Sequence, residues 1–251
     1  MSSSKKSRLD RFISQWYFTK DPSQPLNKKA VRLLVAQKRI LVDGQPADSF
    51  SQPIDYFTRV ELDGALLQDN QPLYLMLHKP VGVVTAVVDE QHQTVIDLID
   101  HPDKNQLHYA GRLDLNTSGL LLLTNDGHWS KGLTDPDKKV AKCYEVTLEK
   151  PVDERYQQAF KDGIYFSYEG VTTRPAELEI IDPYHTRLWL TEGRYHQVKR
   201  MFGYFRNAVV GLHRSQIGGL ILDPALKPGQ WRQLSLEELN LLNSENSEGA
   251  N

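Results

Sequence analysis

The stretch Gly111-Arg112-Leu113-Asp114-Leu115-Asn116-Thr117-Ser118-Gly119-Leu120-Leu121-Leu122-Leu123-Thr124-Asn125-Asp126-Gly127 constrains this chain more than any other. Four consecutive leucines closed by a Thr-Asn-Asp-Gly turn signal read as a buried strand. The residues before them, Gly111 to Gly119, form a polar loop that empties into that strand. A loop anchored by a rigid strand is a suitable seat for one catalytic carboxylate, here Asp114. The competing reading is a turn in which Asp114 caps its own backbone.

Composition narrows what surrounds this segment. Of 251 residues, 39% are hydrophobic, enough for a sizeable core, and 25% are charged, as in globular proteins generally. No apolar run approaches the roughly 18 residues of a membrane span. The opening Met1-Ser2-Ser3-Ser4-Lys5-Lys6 lacks the apolar centre of a signal peptide, so a cytoplasmic location is the expectation. The one cysteine, Cys143, excludes an internal disulfide framework and a multi-thiolate metal site, and the eight histidines show no metal-ligand spacing. Neither a Gly-x-Gly-x-x-Gly nor a phosphate-loop motif occurs, so no nucleotide cofactor is expected.

The net charge of −2 argues, taken whole, against a nucleic-acid binder. Its distribution argues otherwise. Residues 1–67 hold eleven basic and seven acidic side chains, a net +4, and the remainder carries −6. A basic head on an acidic body suggests an anionic partner for the head. Residues 68–72, Gln-Asp-Asn-Gln-Pro, read as a linker, residues 73–242 as the second domain, and residues 243–251, with nothing larger than alanine to bury, as a frayed tail.

Within the head, Arg8 to Ile13 opens a helix. Asn27 is a plausible N-cap for a second helix from Lys28 to about Lys38, with Ala30, Val31, Leu33, Leu34 and Val35 largely on one buried face. Lys28, with Lys29 beside it, and Arg32 fall on the other face, and Arg39 lies close to the same stripe. These four are candidate RNA contacts, or simply a solvated helix face. Ile40-Leu41-Val42 reads as a strand leading into an Asp43-Gly44 type I′ hairpin turn, and Arg59–Leu62 as another leading into Asp63-Gly64.

The body alternates strand and helix signals. Strands are predicted over residues 73–77, ended by His78-Lys79-Pro80, and over residues 83–87, 120–124, 144–148, 176–181 and 187–191. Helices are predicted over 154–161, 196–205 and 237–242. This pattern points to an α+β domain with a mixed, mainly antiparallel sheet.

The head resembles the small RNA-binding fold named for the fourth protein of the ribosomal small subunit, on its Arg8-Leu9-Asp10-Arg11-Phe12 opening, basic helix and Val-Asp-Gly hairpin. The Gly111–Gly127 segment resembles the signature of pseudouridine synthases of the RsuA type. Lys142-Cys143-Tyr144-Glu145-Val146 resembles that family's Lys-x-Tyr-x-Val strand. Glu192-Gly193-Arg194-Tyr195-His196-Gln197-Val198-Lys199-Arg200-Met201 resembles its Glu-Gly-x-x-His-Gln-Val helix, and Leu212-His213-Arg214 with Ile217-Gly218-Gly219-Leu220 its closing motif. Two departures stand out: an irregular insertion from Tyr17 to Pro25, and Lys at position 199, where the wider superfamily often carries Arg.

The resemblance implies an enzyme that detaches a uracil from its ribose, turns it and rejoins it through C5, without a cofactor or metal. It assigns glycosidic cleavage to Asp114, stacking on the flipped uracil and help with the C5 proton to Tyr144, and a charge pairing with Asp114 to Lys199. It makes Arg112, Arg194, His196, Arg200 and Arg214 candidate RNA contacts. Its implied substrate is 16S ribosomal RNA in a partly assembled small subunit, at uridine 516 in bacterial numbering, acted on by a monomer. The alternatives are a sister synthase acting on large-subunit 23S RNA, a non-catalytic RNA-binding assembly factor, and a uridine-releasing hydrolase.

Overall fold

The computed structural model describes residues 6–23 and 26–243. The tail expected to fray falls, from residue 244 on, outside the described residues, as do the last two positions of the Tyr17–Pro25 insertion. The chain forms two compact units, Met1–Pro72 with Asn125–His128, and Leu73–Thr124 with Trp129–Asn251.

The first unit holds helices Leu9–Lys20 and Lys28–Ala36 and a four-stranded antiparallel sheet in the order Gln45–Pro46, Ile40–Val42, Val60–Leu62, Ala65–Gln68. Asn27 caps the second helix, its side chain accepting from the Ala30 amide at 2.9 Å, and so satisfies one of the orphan amides of the first turn. Asp43 and Gly44 both have positive φ, 49° and 76°, as a type I′ hairpin requires, and Asp63 and Gly64 repeat the pattern at 52° and 79°. Leu9, Ile13, Val31, Ile40 and Val60 are completely buried. The basic helix stops at Ala36 rather than near Lys38, which has φ +56°, and Leu33 is 58% exposed, so that helix's apolar stripe is narrower than its sequence suggests.

The second unit is built on a nine-stranded sheet among the described residues. Its central order is Glu177–Asp182, His185–Leu190, Lys142–Leu148, Val209–Ile217, Ser118–Thr124, Tyr74–Lys79, Trp231–Gln233. Every neighbouring pair is antiparallel except Val209–Ile217 with Ser118–Thr124. Leu120 to Leu123 are all fully buried because this strand is covered on both faces. Leu121 and Leu123 pack with Leu75, Leu77 and Ile99, while Leu120 and Leu122 pack with Met76, Leu133 and Leu220. Each buried leucine contributes roughly 1.5–3 kcal/mol of transfer free energy. On the other side of the sheet's centre, Val146 and Leu148 join Phe160, Met201 and Phe202 in a third cluster.

Several predicted boundaries move. The Tyr74–Lys79 strand runs through His78 and Lys79, which pair with Leu120 and Gly119 instead of ending the strand. Residues 83–87 form no strand beyond an isolated bridge from Val84 to Thr94, because β-branched residues without a paired neighbouring strand have no ladder to join. The helix expected over 196–205 spans only Gln197–Gly203. The nine-residue Val209–Ile217 strand, central to the sheet, was legible only as a motif.

One glycine carries the sheet's centre. Gly119 has φ +113°, and a Cβ built there would lie 2.3 Å from the Arg214 carbonyl oxygen and 2.6 Å from its amide nitrogen. Gly111, with φ +84°, has only the Thr134 methyl within 4 Å, at 3.8 Å. Gly119→Ala is therefore expected to lower unfolding free energy by ~3 kcal/mol or more, since backbone must separate from backbone, and Gly111→Ala by only ~1–2 kcal/mol of local strain. Urea denaturation of the two variants checks the ordering.

Candidate active site

The polar loop before the leucine strand is fastened from below. Lys79 is fully buried, and its Nζ donates to the carbonyls of Pro80 at 2.9 Å, Asp114 at 3.1 Å and Thr117 at 2.8 Å. Three acceptors satisfy an ammonium that would otherwise be prohibitively costly to bury. Buried Thr85 grips the loop from another side, its hydroxyl donating to the Leu113 carbonyl at 2.7 Å. The Gly82 amide donates to the Leu115 carbonyl at 2.9 Å. Leu113 itself is buried, so Arg112 and Asp114 on either side of it are held outward.

Asp114 sits with its side chain 37% exposed in a cavity of about 420 Å³. Tyr144, Lys199, Arg112, Arg194, His196 and Arg214 line the same cavity. Among the described residues the Tyr144 hydroxyl makes no hydrogen bond, so it is not a core tyrosine with a tied hydroxyl. Its ring packs against both large clusters flanking the sheet's centre, which fixes its direction into the cavity. Arg112 is exposed, and its guanidinium pairs with no described residue.

Lys199 lines the cavity but does not pair with Asp114. The close polar contact of the carboxylate is His196, with Nε2 3.4 Å from Oδ2. Lys199 leaves the helix three residues past the helix cap, and the side chain at the cap position reaches the carboxylate. His196 is that cap, with φ +48°. The turn is held by Glu192, buried, whose carboxylate accepts from the Arg174 amide at 2.9 Å, Gln197 Nε2 at 2.7 Å and Arg194 Nε at 3.1 Å. Gln197 returns the grip by accepting from the Arg194 amide at 2.9 Å. The Glu and Gln of this motif are thus positioning residues that sequence reasoning passed over.

Two other candidates prove structural. Arg214 is only 2% exposed, donates from Nε to the Leu120 carbonyl at 2.8 Å and lies under the loop, so it is no open RNA contact. Arg200 forms a two-point pair with Glu169 at 2.8 and 3.1 Å and stacks over the Phe166 ring at 3.6 Å. In the first unit, Arg39 is likewise engaged, bonded through Nε to Asp63 at 2.7 Å. Lys28 and Arg32 both lie over the Phe50 ring, at 5.5 and 4.2 Å from its centroid, and Lys29 is exposed.

Buried and half-buried positive charge lies close to the Asp114 carboxylate. Burial pushes the Lys79 ammonium down to about 8, against the pull of Asp114 and with the help of Arg214. Burial and Arg214 push Lys142, also in the cavity wall, down to about 8. No group of three or more His, Cys, Asp or Glu suited to a metal ion occurs among the described residues, and no helix there is long and apolar enough to cross a membrane.

The profile of the RNA pseudouridylate synthase family matches residues 73–204. The chain belongs to that family. It is 48% identical to the ribosomal small subunit pseudouridine synthase A of Pseudomonas aeruginosa, over 92% of this chain and 98% of that one. It is 42% identical to the protein of the same name from Escherichia coli, again over 92% and 98%. A crystal structure of a pseudouridylate synthase superposes with a TM-score of 0.67 at 39% identity, covering 94% of this chain and 99% of that one. The chain is an RNA pseudouridine synthase, an isomerase, and its second unit has the pseudouridine synthase fold.

The two lysines predict a pH dependence of definite sign. Their folded pKa values, about 8, lie below the ordinary lysine value of 10.5, so the unfolded chain holds more protons between those limits. Their contribution to stability therefore rises as pH rises from about 8 to 10.5, while the cavity loses positive charge. Urea unfolding at pH 8 and pH 10 is expected to show a smaller gain for Lys142→Met than for the wild type.

Proposed function

We propose that this synthase converts one uridine of small-subunit 16S ribosomal RNA, uridine 516 in bacterial numbering, to pseudouridine in the cytoplasm, acting on a partly assembled subunit. The relatives' shared name supports the small-subunit target, and the near-complete mutual coverage supports a common substrate. The observation that carries the chemistry is the Asp114 carboxylate, half-exposed on a clamped loop, in one cavity with an unbonded Tyr144 hydroxyl.

In this reading Asp114 promotes cleavage of the C1′–N1 bond, the uracil turns within the cavity, and C1′ rejoins at C5. N1 ends with a proton, C5 loses one, and nothing else is exchanged, so one carboxylate suffices. Glycoside hydrolysis by contrast uses two. The other carboxylates of the cavity support the distinction. Glu192 is fully committed to its turn, and Asp135 accepts from the Asp137 amide at 3.0 Å. Tyr144 stacks on the released uracil and assists removal of the C5 proton. Lys199 and His196 form the cationic and polar wall beside Asp114. A uridine in structured RNA must leave the stack to enter, and the unpaired Arg112 guanidinium meets its flanking phosphate or fills the vacated space.

The basic head, in its likeness to the ribosomal-protein fold, supplies salt-sensitive grip through Lys28, Lys29 and Arg32. Replacing Lys28 and Arg32 together by Ala is expected to reduce the slope of log affinity against log salt by roughly 1.5, at ~0.7–0.9 per phosphate contact. Filter binding across a salt series reads it.

Isomerisation is tested by incubating the protein with assembling small-subunit particles and mapping pseudouridine by carbodiimide modification and primer extension. The expected result is a stop at the 16S target for the wild type, and none for Asp114→Asn, which retains RNA affinity. A stop in 23S RNA instead would assign the sister activity. Free uracil would indicate a hydrolase, and binding without any stop an assembly factor.

A further inference from the structure

Tyr195 is a large aromatic side chain left 75% exposed at the rim of the Asp114 cavity. Its ring stacks on His196 with centroids 3.9 Å apart and planes 21° apart. His196 in turn reaches the Asp114 carboxylate at 3.4 Å. The two rings are held, not loose. His196 is kept in the left-handed region by the Glu192–Gln197 turn, and the Tyr195 carbonyl accepts from Arg200 Nη1 at 3.3 Å. Among the described residues no ring covers the second face of Tyr195. Other tyrosines of this chain are exposed too, Tyr168 at 96%, but Tyr195 presents its open face at the rim of the cavity, backed by a ring that reaches Asp114.

We propose that Tyr195, stacked on His196, is a platform for the nucleobase next to the target uridine. This rests on the reading that a uridine of RNA enters the cavity. Once that uridine leaves the stack, its neighbours lose a stacking partner. The Tyr195 ring stands one stacked ring beyond the group that touches Asp114, which is the place of the adjacent nucleotide. Every base offers a π-face, so the platform accepts the neighbour without reading its identity, and its strength is that of base–aromatic stacking. The exposed Arg112 guanidinium on the same rim supplies a phosphate partner, the pairing of aromatic and cation by which single-stranded RNA is held.

The test uses the full chain and a 16S fragment carrying the uridine it converts. 2-Aminopurine, or an abasic nucleotide, is placed in turn at the 5′ and the 3′ neighbour. Binding of the wild type is expected to quench 2-aminopurine at one of the two positions. Tyr195→Phe should quench as well, and Tyr195→Leu should not. The abasic nucleotide at that position should weaken wild-type binding roughly tenfold, and Tyr195→Leu binding by less than about twofold. No quenching at either neighbour, or an equal abasic penalty in wild type and Tyr195→Leu, overturns the platform. Pseudouridine yield from the unsubstituted fragment is read alongside. Turnover without quenching overturns the platform alone, and absence of turnover overturns the substrate reading and the platform with it.

Discussion

The parallel pairing of Ser118–Thr124 with Val209–Ile217 at Gly119 and Arg214 is the constraint on which the site depends. The strands approach so closely there that no side chain fits at position 119. That approach places the Arg214 guanidinium beneath the Asp114 loop and aligns Lys79, paired with Gly119 across the other neighbouring strand, under the same loop. Two cations are thereby buried, Lys79 against the carbonyls of Pro80, Asp114 and Thr117, and Arg214 against those of Leu120 and Arg112. The carbonyls of Arg112, Asp114 and Thr117 belong to the loop, so holding them restrains it, and the loop carries the carboxylate.

The cations also set the electrostatic character of the cavity. Lys79 and Arg214 are too buried to meet a polyanion directly, and Lys142 is half-buried in the cavity wall, but their charge acts over short range through a medium of low polarity. The rim is different. Arg112 is unpaired and exposed, and Arg194 is partly shared with Glu192. The division suits the proposed substrate, a nucleotide that brings a neutral base for the interior and phosphates for the edge. The net −2 of the chain therefore hides two local arrangements: the +4 of residues 1–67, and a few cations, Lys79, Lys142 and Arg214, gathered near Asp114 within an acidic body.

Much of this was legible in the sequence. Asn27 as a cap, Asp43-Gly44 and Asp63-Gly64 as hairpin turns, and the leucine strand follow from local rules about capping, positive φ and apolar runs. The Asp114 and Tyr144 positions were legible through motif resemblance. Lys79 was not, because a lysine after an apolar strand looks like a strand end, and only three converging carbonyls make its burial tolerable. Glu192 and Gln197 were missed for the same reason: their partners are a backbone amide eighteen residues away and one another.

The sequence by itself determined the hairpin turns, the helix cap and the leucine strand, since these are encoded within a few residues of each other, and through motif resemblance it singled out Asp114 as the candidate carboxylate. The tertiary structure decided which cations are free. Arg112, Arg200 and Arg214 are chemically identical in the sequence, yet one is exposed and unpaired, one is locked to Glu169, and one is buried under the loop. It likewise decided that His196, rather than Lys199, touches Asp114. Pairing and burial depend on strands and turns distant in sequence, and no local pattern of residues carries that information.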